Sequence, residues 1–240
     1  TPITPSSEDT PGVARLREAG AVFFCKTTTP EFGWKGITHG PLTGITRNPW
    51  NPAHTPGGSS MGSAAAVAAG MLPLAFGTQT NGSVIRPAAF CGCVGFKPGE
   101  GTLATAGIQP FSPTLDQPGL FARSVEDAAL AFAALREGPE ASRTRAWPLS
   151  PLDRAPRLAA VRSPVWHLAL PEQRAQFEAD IARVREAGAS VDVQAWYRDP
   201  AADSPRSTLL ADEATKDWHE FGMEWKEHVA WFSPILATVV

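Results

Sequence analysis

The chain has 240 residues, 43% of them hydrophobic and 19% charged, which is ordinary for a folded protein and excludes general disorder. Its formal net charge of −3 and pI near 6.0, with no run of Lys or Arg, argue against a direct nucleic-acid partner. The apolar stretch 64–76 is too short to cross a membrane, and three cysteines argue against a disulfide framework and predict a cytoplasmic location.

The first half of the chain predicts helices and strands separated by a long loop. In chain order we expect a short helix from Thr10-Pro11 to about Gly20, a buried strand over 21–26, an ordered loop over 27–56, a buried helix over 60–70 and a strand over 72–78.

The second half predicts one more strand and helix, a linker, and then a β-α-β unit. The predicted elements are a strand over 89–97, a helix capped by Ser124 and ending near Leu135, a surface linker over 137–156, a strand over 157–162, a helix over 171–187, a strand over 190–196 and a last helix over 209–232. We expect an α/β fold, with a mixed sheet covered by helices on both faces, in one domain spanning residues 1–240.

Two glycine-rich segments each end in serine, and the two serines lie 24 positions apart. Residues 56–60 (PGGSS) contain Ser59 just before the predicted helix, and residues 77–83 (GTQTNGS) end in Ser83 just after a predicted strand. Glycine before a serine lets the backbone adopt positive φ or approach a ligand closely, so the hydroxyl can face a reacting carbonyl. The pair therefore predicts a single site suited to acyl transfer.

A serine hydroxyl is a poor nucleophile and needs a base within hydrogen-bond reach. None of the five histidines stands in a motif, which disfavours a Ser-His-Asp triad. In the alternative, a neutral lysine deprotonates Ser59, which in turn takes the proton from Ser83.

Acyl transfer also needs backbone donors for the negative oxygen of the tetrahedral intermediate. The segment from Thr80 through Asn81 and Gly82 to Ser83 can supply them, because Asn-Gly tolerates positive φ and lets successive N–H groups converge. A plain tight turn is the alternative interpretation of these residues.

Three longer segments resemble the amidase signature family: residues 56–70 (PGGSSMGSAAAVAAG), 77–92 (GTQTNGSVIRPAAFCG) and 95–98 (GFKP). The similarity continues through residues 26–27, 30–32, 48–50, 115–119 and 122–129. It covers about residues 11–136 clearly and the remainder loosely.

The resemblance implies a Ser-cisSer-Lys triad that hydrolyses a small-molecule amide through an acyl-enzyme, without metal or organic cofactor. Ser83 matches the nucleophile, and Ser59 matches the bridging serine, which follows a cis peptide from Gly58. The resemblance places Gln79, Thr80, Asn81 and Gly82 in the loop that binds the oxyanion and substrate. Ser60 is expected either to add a supporting hydrogen bond or to cap the following helix.

The family lysine lies further upstream of the bridging serine than the 58 residues that precede Ser59, and no lysine here matches it. We therefore expect a chain that is incomplete at both ends and inactive by itself.

Asn81 and Met61 also depart from the usual family pattern, without removing a catalytic side chain. The alternatives are the amidase subunit of a tRNA-dependent amidotransferase and a catalytically silent protein, while Gln79 with Val84-Ile85 looks more like stand-alone amidases.

Two roles are open for Arg86: binding of a substrate carboxylate, or an ion pair with Asp116 or Glu126. Cys91-x-Cys93 lacks the spacing and the companion ligands of a metal site, and we interpret it as two buried small side chains on a strand. No membrane partner is expected, and a homodimer is left open.

Overall fold

The computed structural model describes residues 7–36, 43–136, 153–162 and 166–195. They belong to two units, residues 1–149 and 150–240, and the expected single domain stays a prediction. The first unit contains α1 (Pro11–Glu18), a 3-10 turn (Glu31–Gly33), α2 (Met61–Ala68), β1 (Leu74–Gln79), α3 (Ile85–Cys91), β2 (Val94–Phe96), β3 (Gln117–Ala122) and α4 (Val125–Leu135). The second contains β4 (Arg157–Arg162), a 3-10 turn (Trp166–Leu168), α5 (Pro171–Glu186) and β5 (Ser190–Ala195).

Strand β3 lies between β1 and β2 and pairs with both in antiparallel register. Because successive side chains of a strand project to opposite faces, Phe121 and Leu120 enter different cores. Phe121 packs with residues of α2 and α3, and Leu120 packs with residues of α1 and α4. The α/β prediction is confirmed, with helices on both faces of this sheet.

The second unit is the predicted β-α-β arrangement. Strands β4 and β5 pair in parallel, as a helical crossover requires. Phe177 and Ile181 of α5 are buried against Ala160 of β4, and Trp166 packs edge-on to Phe177 with ring centroids 5.0 Å apart.

Helix α4 begins where the sequence predicts it. Ser124 is its N-cap, and its Oγ accepts a hydrogen bond from the backbone N–H of Asp127 at 3.0 Å. This bond satisfies one of the free donors of the first turn. The predicted helix over 209–232 and most of the linker over 137–156 lie outside the described residues. Within the described part of the chain, no helix is long and apolar enough to cross a membrane.

The strand predicted over residues 21–26 is wrong. This segment pairs with no strand among the described residues, and Val22 and Phe24 are 90% and 84% exposed. A strand needs a partner for its backbone groups, and an apolar run does not specify one.

The strand predicted over residues 89–97 is also wrong in its first half. Helix α3 runs to Cys91, Gly92 ends it with φ 68°, and only Val94–Phe96 forms a strand. The run is apolar on every side, so its periodicity does not separate a buried helix from a buried strand.

Cys91 and Cys93 therefore do not share a strand: Cys91 ends α3 and Cys93 lies in the turn before β2. The Cys91 Sγ–H donates to the carbonyl oxygen of Pro56 at 3.5 Å. Burial raises the pKa of Cys91 to about 12 and the pKa of Cys93 to about 11. Among the described residues no group of three His, Cys, Asp or Glu is placed to hold a metal.

These pKa values predict unequal thiol reactivity. At pH 8 the exposed Cys25 should react with iodoacetamide, while Cys91 and Cys93 react at least ~100-fold more slowly because little thiolate forms. Mass spectrometry of timed samples measures the three rates, and the urea-unfolded chain, in which all three thiols should react alike, is the control. Equal rates in the folded protein would contradict the prediction.

Candidate active site

The two serine segments meet in the folded chain. Ser59 and Ser60 precede α2, Ser83 lies between β1 and α3, and the Ser60 N–H donates to the carbonyl oxygen of Ser83 at 3.1 Å. The three residues are 6%, 3% and 7% exposed, respectively. Residues separated by 24 positions in sequence are thus brought together, and one backbone hydrogen bond joins their segments.

Ser60 supports this arrangement and does not cap α2. Its Oγ donates to the carbonyl oxygen of Thr78 at 3.2 Å and accepts from the Thr78 N–H at 3.3 Å, and α2 has no side-chain cap. A Cβ at Gly77 would lie 2.6 Å from Ser60 Oγ, so only glycine fits beside it. Of the two roles expected for Ser60, the structure shows the supporting hydrogen bond.

The backbone before Ser59 is held from a second side. The Gly58–Ser59 peptide is cis, as the resemblance implies. Arg86 Nε donates to the carbonyl oxygen of Gly58 at 2.9 Å, and burial lowers the pKa of Arg86. Gly57 has φ 76°, and a Cβ there would lie 2.4 Å from the ring of Phe90.

The ion pair considered for Arg86 is wrong. Among the described residues Arg86 pairs with neither Asp116 nor Glu126, and its hydrogen bond goes to a backbone carbonyl instead. Asp116 is already engaged: its carboxylate accepts from Thr80 Oγ1 at 2.5 Å and from the backbone N–H groups of Phe111 and Ser112 at 2.6 and 2.9 Å.

Gln79 holds the chain that follows Ser83. Its Oε1 accepts hydrogen bonds from the backbone N–H groups of Val84 and Ile85, both at 2.9 Å. The Oε1 atom of Gln79 therefore faces the backbone of this loop, and Gln79 is not among the residues that line the cleft, while its predicted role in the oxyanion and substrate loop stays a prediction.

Asn81-Gly82 tolerates positive φ, but neither residue adopts it in this structure. The backbone N–H groups of Asn81, Gly82 and Ser83 nevertheless donate to no group in the described ranges of the chain. They remain available to an acceptor from outside.

A cleft of about 300 Å³ opens over these serines. Of the predicted site residues, the cleft is lined by Ser59, Ser60, Thr80 and Ser83. The other predicted site residues do not line it: Gly58, Gln79, Asn81, Gly82 and Arg86. Its apolar lining comes from Pro30, Phe32, Ile108, Pro110, Phe111, Pro113 and Pro118. No basic side chain lines it among the described residues.

Sequence reasoning missed the residues that shape the wall of the cleft. Asp116 fixes Thr80 on one side and the backbone of Phe111 on the other, and the Phe111 ring packs on Trp34 with centroids 5.0 Å apart. The sequence signal for Asp116 was its place in residues 115–119, a segment that the family resemblance included.

The family model described as Amidase matches residues 3–218 of the chain. The chain belongs to this family. The match covers most of the sequence and includes both serine segments, so it confirms the resemblance that the motifs carry.

Similar curated proteins share part of the chain with it. A glutamyl-tRNA(Gln) amidotransferase subunit from Symbiobacterium thermophilum is 42% identical over 190 residues, which are 75% of this chain and 38% of that protein. The corresponding protein from Syntrophobacter fumaroxidans is 49% identical over 123 residues, which are 51% of this chain and 25% of that protein. The alignments thus span well under half the length of either relative.

Solved structures of a peptide amidase and of a hydrolase share the fold. The peptide amidase of Stenotrophomonas maltophilia is 34% identical with a TM-score of 0.62, over 78% of this chain and 41% of that one. The 6-aminohexanoate cyclic dimer hydrolase is 30% identical with a TM-score of 0.68, over 92% of this chain and 50% of that one.

Proposed function

We propose that the full-length protein hydrolyses a carboxylic amide to an acid and ammonia or an amine through a seryl acyl-enzyme. Ser83 is the proposed nucleophile and Ser59 the proposed proton relay. The observation that carries the proposal is the shared cleft, in which both serines are buried, close in space, and without a side-chain partner among the described residues. Family membership supports the same chemistry.

The reaction proceeds in two balanced halves. Ser83 Oγ attacks the carbonyl carbon while its proton passes to Ser59, and the C–N bond breaks as the leaving nitrogen accepts a proton from Ser59. Water then attacks the acyl group on Ser83, giving the acid and restoring the hydroxyl. As Ser59 takes the proton of Ser83 it gives its own hydroxyl proton to a base, and the proposed base is the family lysine, a role that none of the described lysines fills because none of them lines the cleft.

The proposed oxyanion donors are the backbone N–H groups of Asn81, Gly82 and Ser83. Their lack of partners in the described structure supports this role, since preset donors stabilise the tetrahedral intermediate. Thr80 and Gln79 support the same loop from either end, through Asp116 and through the backbone after Ser83.

The cleft is lined by many apolar side chains and, among the described residues, by no basic one, and its carboxylate, Asp116, is already engaged by Thr80 and by backbone N–H groups. This lining favours a neutral acyl group on a small-molecule amide. The second candidate is the amidase component of a tRNA-dependent amidotransferase, and the identity of 42% to 49% with proteins of that kind favours it. Ammonia release from simple amides by the protein alone supports the first, and release from glutamine only with partner proteins supports the second. A silent protein, a homodimer and a cytoplasmic location stay predictions.

A fluorophosphonate probe tests the proposal, because it reacts with activated serines. We expect the full-length protein to be labelled on Ser83, located by peptide mass spectrometry, and Ser83→Ala to be unlabelled. Ser63→Ala is the matched control: Ser63 is a buried serine of α2 whose hydroxyl donates to the carbonyl oxygen of Phe76, and this variant should still be labelled. Labelling on another residue, or no labelling of the full-length protein, would overturn the proposal.

A further inference from the structure

Gln117 is the first residue of β3 and lines the same cleft as Ser59 and Ser83. It is 6% exposed, and its Oε1 has no hydrogen-bond partner in the described part of the chain. Buried polar atoms are nearly always paired, because an unmade hydrogen bond is costly. The Oε1 atom itself has almost no exposed surface, so Gln117 holds an unpaired acceptor in the wall of the cleft, which a turn of its carboxamide can present to a ligand.

Comparison with the buried polar residues that line the same cleft narrows the role of Gln117. Four described residues of this kind line it: Ser59, Ser60, Ser83 and Gln117. The Ser60 side chain is engaged with Thr78, and Ser59 and Ser83 are the proposed reacting pair. Gln117 is the remaining member, and the proposed chemistry assigns it no role.

The register of the sheet places Gln117 next to the nucleophile loop. Gln117 pairs with Gln79 across the antiparallel strands β3 and β1, and such partners project from the same face of a sheet. Gln79 in turn holds the backbone of Val84 and Ile85, directly after Ser83. Gln117 thus stands beside the loop of the reacting hydroxyl, and the Oε1 atom of its neighbour Gln79 is already occupied.

We propose that Gln117 accepts a hydrogen bond from the N–H of the scissile amide, an inference that rests on the proposed function. The last torsion of a glutamine side chain is soft, so the carboxamide can turn its oxygen toward the cleft. The bond fixes the orientation of the amide nitrogen so that its lone pair faces the Ser59 hydroxyl as the C–N bond breaks. An ester has no hydrogen at this position, so Gln117 contributes a preference for amides over esters of the same acid.

Benzamide and methyl benzoate test this preference in the full-length protein. Gln117→Leu should lower kcat/KM for benzamide ~10- to 100-fold and that for methyl benzoate less than ~3-fold. Gln117→Glu keeps acceptor oxygens and should restore much of the benzamide activity. Gln79→Leu is the comparison: it loosens the loop that carries Ser83 and should lower both activities together. Equal losses on both substrates in Gln117→Leu would overturn the inference.

Binding gives a second measurement that needs no turnover. In a Ser83→Ala background, Gln117→Leu should weaken the binding of benzamide and leave the Kd of methyl benzoate unchanged, whereas parallel changes would contradict the inference. Thermal unfolding checks that each variant is folded, and Gln117→Met replaces Gln117→Leu if the latter is not. A wild-type protein that hydrolyses neither substrate, or a Ser83→Ala variant that still hydrolyses both, would instead contradict the proposed function.

Discussion

Replacement of Ser83 by alanine should lower kcat/KM for a simple amide by at least ~1,000-fold in the full-length protein, because the acyl-enzyme can no longer form. Ser59→Ala should cost a similar factor, because the proton of Ser83 then has no relay. The double variant should be no slower than the worse single variant, since residues that act as one unit are strongly non-additive.

Steady-state rates with benzamide measure these effects, and Ser63→Ala is the control. Ser63 is buried in α2, and its hydroxyl bonds to Thr27 and to the carbonyl oxygen of Phe76 outside the cleft. The Ser63→Ala variant should keep kcat/KM within ~10-fold of the unsubstituted protein, and it measures the general cost of losing a buried serine hydroxyl. Multiplicative losses in the double variant would show that Ser59 and Ser83 act independently, against the relay.

The sequence predicts a helix or strand correctly where its composition and its local capping chemistry indicate the same element. Helix α2 is built from small residues without β-branched interruptions at its start, and α4 begins with a serine cap and acidic residues in its first turn. The β-α-β unit follows from short apolar runs at residues 157–162 and 190–195 and from the helical spacing of Phe177, Ile181 and Val184 between them. Each of these signals is contained within a few turns of chain, so no distant contact was needed to predict them.

Strand β3 shows why other elements were missed. Pro118 and Gly119 are turn signals in a sequence, yet both belong to the central strand of the sheet. A Cβ at Gly119 would lie 2.8 Å from the carbonyl oxygen of Phe96 and 2.9 Å from Val84 Cγ2. The glycine marks a close approach between segments and not a turn, and that distinction depends on residues far away in the sequence.

In the candidate active site, too, local motifs predict some features, whereas others depend on contacts between distant residues. The motifs identified Ser59 and Ser83, and the structure places them in one cleft. The motifs could not show that Gln79 turns toward the backbone of Val84, since neither the direction of a side chain nor its partner is encoded in spacing. The same limit applies to Gln117, since no sequence pattern shows that its Oε1 atom lies buried without a partner among the described residues.

Arg86→Met should lower kcat for a neutral amide by ~10- to 100-fold. The guanidinium is half-buried, lies close to Gly36 and Gly82, and donates to the carbonyl oxygen of Gly58 that precedes Ser59. Hydrogen bonds from charged groups contribute ~1.5–3 kcal/mol, and methionine keeps the stem while leaving that carbonyl unpaired. Because Ser59 is the next residue, we expect the loss to appear in catalysis and not only in stability.

Matched substrates separate this positioning role from the carboxylate-binding role that the sequence left open for Arg86. If Arg86 positions Ser59, Arg86→Met lowers kcat for benzamide and for an amide carrying a carboxylate by similar factors. If it binds substrate, only the KM of the carboxylate-bearing amide rises. Arg123→Met, which removes an exposed arginine that follows β3, is the control and should change neither parameter. An effect confined to the charged substrate would therefore reject positioning and move Arg86 into the binding site.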